Sequence, residues 1–363
     1  MIEKSKCQLP AMNYKSIQGF QSTFKQEKLH LDHFKNLIEE FLNFILILAV
    51  GHTNKFFCDI NKECLGKNCV RIFVLEAGQQ RARQMEAGGL DSGGRQFKNA
   101  KEMWREEIGE EGDLQKRADW YREGVGYWQD VEATLDGVLG GYGLVNEADI
   151  KGSEAFLKTL LSERVANGGR SQHLVALDCG SGIGRVTKNL LVKYFNEVDL
   201  VEPVSHFLDA ARESLAPERL MVPDLHKAAN FFCLPLQEFT PETGRYDVIW
   251  IQWCIGQLAD DDFVSFFKRA KAGLKPGGFF VLKENIARTG FVLDKEDRSI
   301  TRSDTYFKEL FSRCGLHLYK SKDQKEFPKE LFAVNMYALT TERPKRANGA
   351  SGKVHANRPA VIK

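Results

Sequence analysis

The sequence predicts an α/β protein with a doubly wound, mostly parallel sheet, a final antiparallel strand and helices on its N-terminal side. Three observations carry the prediction. From His173 to Leu339 short apolar strands alternate with helices, and such crossovers put helices on both faces of a parallel sheet. The last two strands have no helix between them, so they pair as a hairpin and one must run against the rest. Glycines cluster at Gly180, Gly182 and Gly184, where a chain leaving a strand must turn sharply into a helix.

Taken in order, 100–108 and 114–123 read as charged helices, with Met103 and Trp104 giving the first an apolar side. Ser153 is a candidate N-cap for a helix to residue 166, ended by Gly168 and Gly169. Strands follow at 173–177, 198–201, 246–253, 279–284, 316–320 and 332–339, with helices at 185–195, 207–215, 261–274 and 303–314. No repeat of solenoid period interrupts the series.

Composition bounds the function. Of 363 residues, 43% are apolar and 28% charged, which excludes a collagen-like or disordered chain. The net charge of +2 hides a pattern. Residues 1–84 hold 12 basic and 8 acidic side chains, 340–363 hold 6 and 1, and the remaining middle holds 33 and 40. An acidic middle between basic ends lacks the basic groove that nucleic acid requires, so no nucleic-acid partner is expected. Eight cysteines are too sparse for a disulfide scaffold. Cys58, Cys64 and Cys69 lack a CxxC pair or a histidine partner, so no metal is expected and free thiols in a reducing compartment are. The longest apolar run, 41–50, is broken by Asn43 and falls short of the ~20 residues that span a bilayer. It also starts too far from Met1 for a simple secretory signal, so no membrane partner is expected.

Residues 1–84 show no sustained period and no glycine loop. Organelle targeting is one reading of them, weakened by Glu3, Glu27 and Asp32, and Met85 as an alternative start is another. Around Arg343-Pro-Lys-Arg346, Gly, Ala and Asn read as a disordered tail with a candidate nuclear-import signal. The expected organisation is an extension over 1–96, one catalytic domain over 97–340 and a basic tail over 341–363, in a monomer of the cytoplasm and nucleus.

The chemistry centres on Leu174-Val-Ala-Leu-Asp-Cys-Gly180-Ser-Gly182-Ile-Gly184-Arg185. A strand runs there into a glycine turn and a helix, at the carboxyl end of the strands where open α/β sheets bind ligands. Glu202 lies 22 residues after Gly180, and a carboxylate there can accept both ribose hydroxyls of an adenosine. A dinucleotide fingerprint is G-x-G-x-x-G. Here the pattern is G-x-G-x-G and the final position is Arg185, which can pair with a carboxylate. S-adenosylmethionine carries such a carboxylate, and hydride transfer on NAD is the alternative. Leu274-Lys-Pro-Gly-Gly278 adds a further turn before a buried strand. Together these motifs resemble those of the class I methyltransferases.

The flanking segments narrow the resemblance. Gly126-Tyr127-Trp128, Leu135-Asp-Gly-Val-Leu139-Gly-Gly-Tyr-Gly143, Tyr246-Asp-Val-Ile-Trp-Ile-Gln-Trp253 and Lys283-Glu-Asn-Ile-Ala287, with Leu293, Asp294 and Asp297, resemble the eukaryotic protein α-N-terminal methyltransferases over about 97–340. The resemblance implies a seven-stranded Rossmann-like sheet, S-adenosylmethionine as cofactor, and protein substrates that expose a free α-amino group on an Xaa-Pro-Lys or Xaa-Pro-Arg sequence. It implies that Gly180, Gly182, Arg185, Glu202, Leu236, Gln237 and Gln252 contact the cofactor and that Trp128 closes over it. It places Trp253 and Leu139 on the substrate proline, Asp294 on the third-position cation, and Asn285, Asp297 and Tyr127 around the amine, with Asp297 as the candidate base. Two positions depart from the family pattern. Gln257 stands where the family has His and cannot act as a base, and Phe332 stands where it has Tyr. Other readings are methylation of a small amine or a lysine side chain, and a catalytically weakened module that binds N-termini.

Overall fold

The computed structural model describes residues 87–110, 113–166, 173–220 and 226–343, all within the unit Ala82–Lys363. The apolar run 41–50, the three clustered cysteines, the pair Gly168 and Gly169, and the tail from Pro344 lie outside the described residues.

Among the described residues two sheets form, with strands β1 (Gly89–Asp91), β2 (Gln96–Phe97), β3 (Val175–Cys179), β4 (Glu197–Val201), β5 (Lys227–Phe232), β6 (Tyr246–Gln252), β7 (Leu274–Ile286), β8 (Phe291–Asp294), β9 (Ser299–Arg302), β10 (His317–Asp323) and β11 (Ala333–Thr340). The large sheet has the order β10-β11-β7-β6-β3-β4-β5. The five neighbours β7-β6-β3-β4-β5 are parallel, and β11 runs antiparallel to both β7 and β10, as the missing helix between the last two strands requires. The seventh strand, β5, has the weak sequence Lys-Ala-Ala-Asn-Phe-Phe with no alternation, which is why only six strands are legible by pattern. In β3 and β6 every residue is buried, the mark of strands covered on both faces.

The helices are α1 (Ala100–Ile108), α2 (Leu114–Gln129), α3 (Leu135–Val138), α4 (Asn146–Ala166), α5 (Arg185–Asn189), α6 (Ser205–Ser214), α7 (Asp260–Ala270) and α8 (Asp304–Arg313). Alternate residues of one strand serve opposite faces. Ile249 and Ile251 pack with Phe263, Phe267, Phe307 and Phe311 of α7 and α8. Val248 and Trp250 pack with Phe156, Leu157 and Leu160 of α4 on the other face. Between β3 and β6 the strand order reverses, and crevices for ligands form at such a point.

Several expectations need correction. Ser153 is no cap, because α4 begins at Asn146 and buries Ser153 in its interior. The helix 185–195 stops at Asn189 and tightens into a 3-10 turn at Leu191–Lys193. The helix 261–274 ends at Ala270, and Leu274 already belongs to β7. Helix α2 runs on past 123 to Gln129 and so carries Tyr127 and Trp128.

The second sheet, of order β2-β1-β8-β9, has no counterpart in the sequence reading. Its hairpin β8–β9 holds Asp294 at a strand end and Asp297 in the turn. The burial alternates along Phe291–Asp294 and Ser299–Arg302, but the residue types Phe-Val-Leu-Asp and Ser-Ile-Thr-Arg do not, so the hairpin carries no period-two signal in sequence. Strand β1 pairs with β8, so residues 89–97 are tied into this sheet.

Candidate active site

The first cavity grows from the end of β3. Gly180, Gly182 and Gly184 take φ of +62°, +53° and +74°, the left-handed region that glycine enters without strain. At Gly180 a Cβ would also stand 2.2 Å from the Cys254 Cβ. Glu202, just past β4, accepts bonds from the backbone N–H groups of Gly182 at 2.8 Å and Val204 at 3.0 Å. That carboxylate therefore locks the glycine loop, and each oxygen retains capacity for a second donor. Burial pushes it up to about 7. On the far wall Arg269 donates to the carbonyls of Leu236 at 3.1 Å and Gln237 at 2.8 Å, fixing that loop. Trp128 stands edge-on to Phe207 at 6.4 Å. Gly180, Gly182, Arg185, Glu202, Leu236, Gln237, Gln252 and Trp128 all line this one cavity. The Ser181 hydroxyl, in the same loop, is buried with no partner among the described residues.

Beneath the loop lies a charge cluster that the sequence did not announce. Asp149 of α4 is fully buried and pairs with Arg185 Nη1 at 2.7 Å and Lys283 Nζ at 2.5 Å. Burial alone would raise the Asp149 carboxyl, but the charges of Lys283 and Arg185 overcome that and hold it below its ordinary value. Burial pushes the Lys283 ammonium down to about 8, against the pull of Asp149. Gln252 donates its amide to both Asp149 oxygens at 2.9 and 3.0 Å and accepts from Trp250 Nε1 at 3.0 Å. Its amide thus serves Asp149 as well as bordering the cavity. Two cations facing one anion leave an excess positive charge, which suits a ligand carboxylate. The donor set fits S-adenosylmethionine, with cations for its carboxylate and Glu202 for its ribose.

A second cavity adjoins the first, and Trp128, Val138, Trp253 and Gln257 line both. Leu139, Asn285, Asp297 and Phe332 also line the second, so it gathers residues from five separate segments. Asp297 is pushed up to about 6 by burial, opposed by bonds from Ser299 and reinforced by Asp294. Its Oδ1 is buried without a partner among the described residues. Trp253 has φ +53°, a strained conformation for an aromatic residue that costs about 1–3 kcal/mol. A bond from its N–H to the Lys283 carbonyl at 3.1 Å secures that turn. The indole lies 5.5 Å from the Arg185 guanidinium, 5.9 Å from Lys283 Nζ and 6.3 Å from the Phe327 ring.

Asp294 and Tyr127 border neither cavity. Asp294 Oδ1 accepts from the Glu296 N–H at 2.9 Å, bracing the hairpin turn. Tyr127 packs edge-on against Trp128 at 5.3 Å. Burial, and then the charges of Asp297, Glu296 and Asp294, raise its hydroxyl.

Besides Asp149 and Lys283, two residues with a place in the site were missed. Glu284 lies near the carboxyl end of β7 on the wall of the second cavity, accepts from the N–H of Ile255 and of Asn285 at 3.2 Å each, and is pushed up to about 7 by burial. Its position at a strand's carboxyl end, in Lys283-Glu-Asn285, was the available signal. Arg302 of β9 is fully buried and donates to the Leu258 carbonyl at 2.6 Å and Asp260 Oδ1 at 2.9 Å. It ties the second sheet to the turn that carries Gln257, and only the tertiary fold brings the two together.

Comparison with known proteins agrees with this geometry. A family model described as AdoMet dependent proline di-methyltransferase matches residues 116–340. The chain is 67% identical over 280 residues to an Arabidopsis thaliana protein named alpha N-terminal protein methyltransferase 1, covering 77% of this chain and 100% of that protein. It is 43% identical over 226 residues to a Danio rerio protein named N-terminal Xaa-Pro-Lys N-methyltransferase 1, covering 62% of this chain and 97% of that one. A solved SAM-dependent methyltransferase from Leishmania major superposes with a TM-score of 0.63 at 39% identity, covering 71% of this chain and 98% of its own. Through its glycine loop, its two adjoining cavities and these matches, the chain belongs to the family of AdoMet-dependent proline di-methyltransferases.

Proposed function

We propose that the chain transfers methyl groups from S-adenosylmethionine to the free α-amino group of proteins whose N-terminus reads Xaa-Pro-Lys or Xaa-Pro-Arg. One observation carries this reading beyond the family. A cofactor-type cavity meets, at Trp128 and Trp253, a second cavity holding a buried Asp297 oxygen without a partner among the described residues. An α-amino group brings the missing donors. The names of the Arabidopsis and Danio relatives support the same substrate class.

The roles follow from the chemistry of each residue. Arg185, backed by Asp149, holds the cofactor carboxylate, Glu202 takes the ribose, and Leu236 and Gln237 flank the base. The cofactor supplies a methyl group on a positively charged sulfur. Trp253 and Leu139 grip a proline ring, for which a flat aromatic face is a good partner. An α-amino group has a pKa of ~7.7–8.0 and arrives mostly protonated at neutral pH. Asp297 is ionised above about 6, so it first pairs with the ammonium and then accepts its proton, while Asn285 orients the nitrogen. Gln257 has no basic nitrogen, which leaves proton removal to the carboxylates. Alignment of nitrogen with methyl supplies much of the remaining rate. Asp294 and Glu296, in and beside the hairpin turn, suit a cationic third residue.

The test is a peptide beginning Ala-Pro-Lys, offered with S-adenosylmethionine beside its N-acetylated twin and read by mass spectrometry. Methylation of the free α-amine alone is expected. Methylation of the acetylated peptide would shift the substrate to a lysine side chain. Cofactor binding with no product on either would leave a module that only binds N-termini.

A further inference from the structure

Behind the two cavities, buried and half-buried side chains form a continuous path from one to the other. Lys283 Nζ is its centre. Beyond Asp149 Oδ1 it donates to the Asp149 carbonyl at 3.1 Å, to Ser153 Oγ at 2.9 Å and to Gln324 Oε1 at 2.7 Å. Asp149, Gly152 and Ser153 are spaced i, i+3 and i+4, so they share one face of α4. Gly152 is the gap in that face. A Cβ there would stand 2.3 Å from Gln324 Oε1. A glycine inside a helix is unfavourable, and this one makes room for the Gln324 amide.

Gln324 opens the 324–332 connection between β10 and β11. Its N–H donates to the Val334 carbonyl at 2.8 Å, and its amide donates to the Ala148 carbonyl at 2.9 Å and to the Lys325 carbonyl at 2.8 Å. The same connection supplies Phe327, Leu331 and Phe332 to the second cavity. Lys151 adds a surface tie to Glu326 at 3.1 Å. At the other end of the path Arg185, which shares Asp149 with Lys283, borders the first cavity.

We infer that Lys283 and Gln324 are positioning residues that couple the two sites, so that cofactor and peptide each bind more tightly when the other is present. The inference rests on the proposed assignment of the two cavities. Its physical basis is the surplus positive charge. With no ligand carboxylate, Arg185 and Lys283 repel each other across one Asp149. A carboxylate beside Arg185 offsets that repulsion, and Lys283 then holds Gln324, and through it the peptide wall, more firmly. By linkage the effect is reciprocal and equal in both directions.

The experiment measures the Kd of an Ala-Pro-Lys peptide by calorimetry on the full chain, with and without saturating S-adenosylhomocysteine. In the unaltered protein the cofactor product should tighten peptide binding on the order of fivefold or more. Gln324→Ala leaves Lys283 paired with Asp149 and Ser153, so no buried charge is bared, and the ratio should fall close to one while cofactor affinity stays within about twofold. Gly152→Ala pushes the Gln324 amide away by a change that a helix favours, and should lose the ratio with an unchanged or higher Tm. That combination separates positioning from damage to the fold. A ratio of one in the unaltered protein, or either variant keeping the full ratio, overturns the coupling while leaving the peptide assignment intact. Failure of the unaltered protein to bind any peptide, with cofactor bound, overturns the peptide assignment and the coupling with it.

Discussion

The two cavity walls solve opposite problems. Around the glycine loop the charged groups already have partners within the protein, and of the buried polar atoms only the Ser181 hydroxyl lacks one among the described residues. Asp149 alone serves Arg185, Lys283 and Gln252, and Glu202 serves two backbone N–H groups. On the hairpin side Asp297 Oδ1 and Trp253 Nε1 are buried without partners among the described residues. Saturated groups hold a shape, and unsaturated ones await a ligand. Substitutions in the first wall should therefore cost stability, and substitutions in the second should cost turnover.

The largest expected effect tests the first half of that contrast. Asp149→Ala removes the anion between two buried cations. Breaking a buried pair by deleting one partner costs about 3–5 kcal/mol, so the urea midpoint should fall steeply. A variant with unchanged stability and impaired turnover would place Asp149 with the ligand-binding groups and break the comparison.

Asp297→Asn tests the second half. It keeps the shape, removes a strained buried charge, and should leave Tm unchanged or slightly higher. Loss of a general base costs typically 10²–10⁴-fold. Since alignment carries much of this reaction, about 100-fold in kcat/KM is expected, with cofactor affinity intact. The pH dependence sharpens the assignment. Burial raises Asp297 to about 6, so kcat/KM should climb as pH rises through 6, and that limb should vanish in the Asn variant. The stability sign is opposite. A raised carboxyl favours the native state most below its ordinary value of 3.8, and that contribution is lost as pH rises through about 6. Unchanged turnover in Asp297→Asn would pass the base role to another group, with Glu284, pushed up to about 7 on the same wall, next in line.

The same contrast explains what could be read from the chain. Four of the expected cofactor residues, Gly180, Gly182, Arg185 and Glu202, come from one stretch in which a glycine turn, a short helix and a strand follow in succession, and there short-range chemistry dictates geometry. Glycine needs and the acid after the second strand are local signals, and all eight expected cofactor residues line that one cavity. The second cavity draws on segments around 139, 253–257, 284–301 and 327–334. No local pattern relates these, and only resemblance to a family assembled them. Ser153 shows the limit from the other side. Its surroundings suggested a helix cap, yet its hydroxyl serves Lys283, 130 residues away. Helix α4 is decided by what it packs against, and Asp149, in its first turn, looks in sequence like any surface acid. Gln252 is a milder case, since its place at the cavity was legible and its bond to Asp149 was not.

The smallest expected effect lies at the rim of the second cavity. Phe332 is 44% exposed there and stands where the resembled family has a tyrosine. An added hydroxyl at a half-open site can gain one bond to a bound peptide or its water. A net hydrogen bond is worth about 0.5–1.5 kcal/mol, and partial exposure favours the lower end. Phe332→Tyr should therefore lower the peptide KM about two- to threefold and leave kcat unchanged, because a rim contact strengthens ground state and transition state alike. Tm should not move, since no buried group changes partner. A rise in kcat instead would mean that the hydroxyl reaches the reacting amine. Phe332 would then join Asp297 among the groups that act on the nitrogen, and the ligand-seeking part of this wall would extend out to its rim.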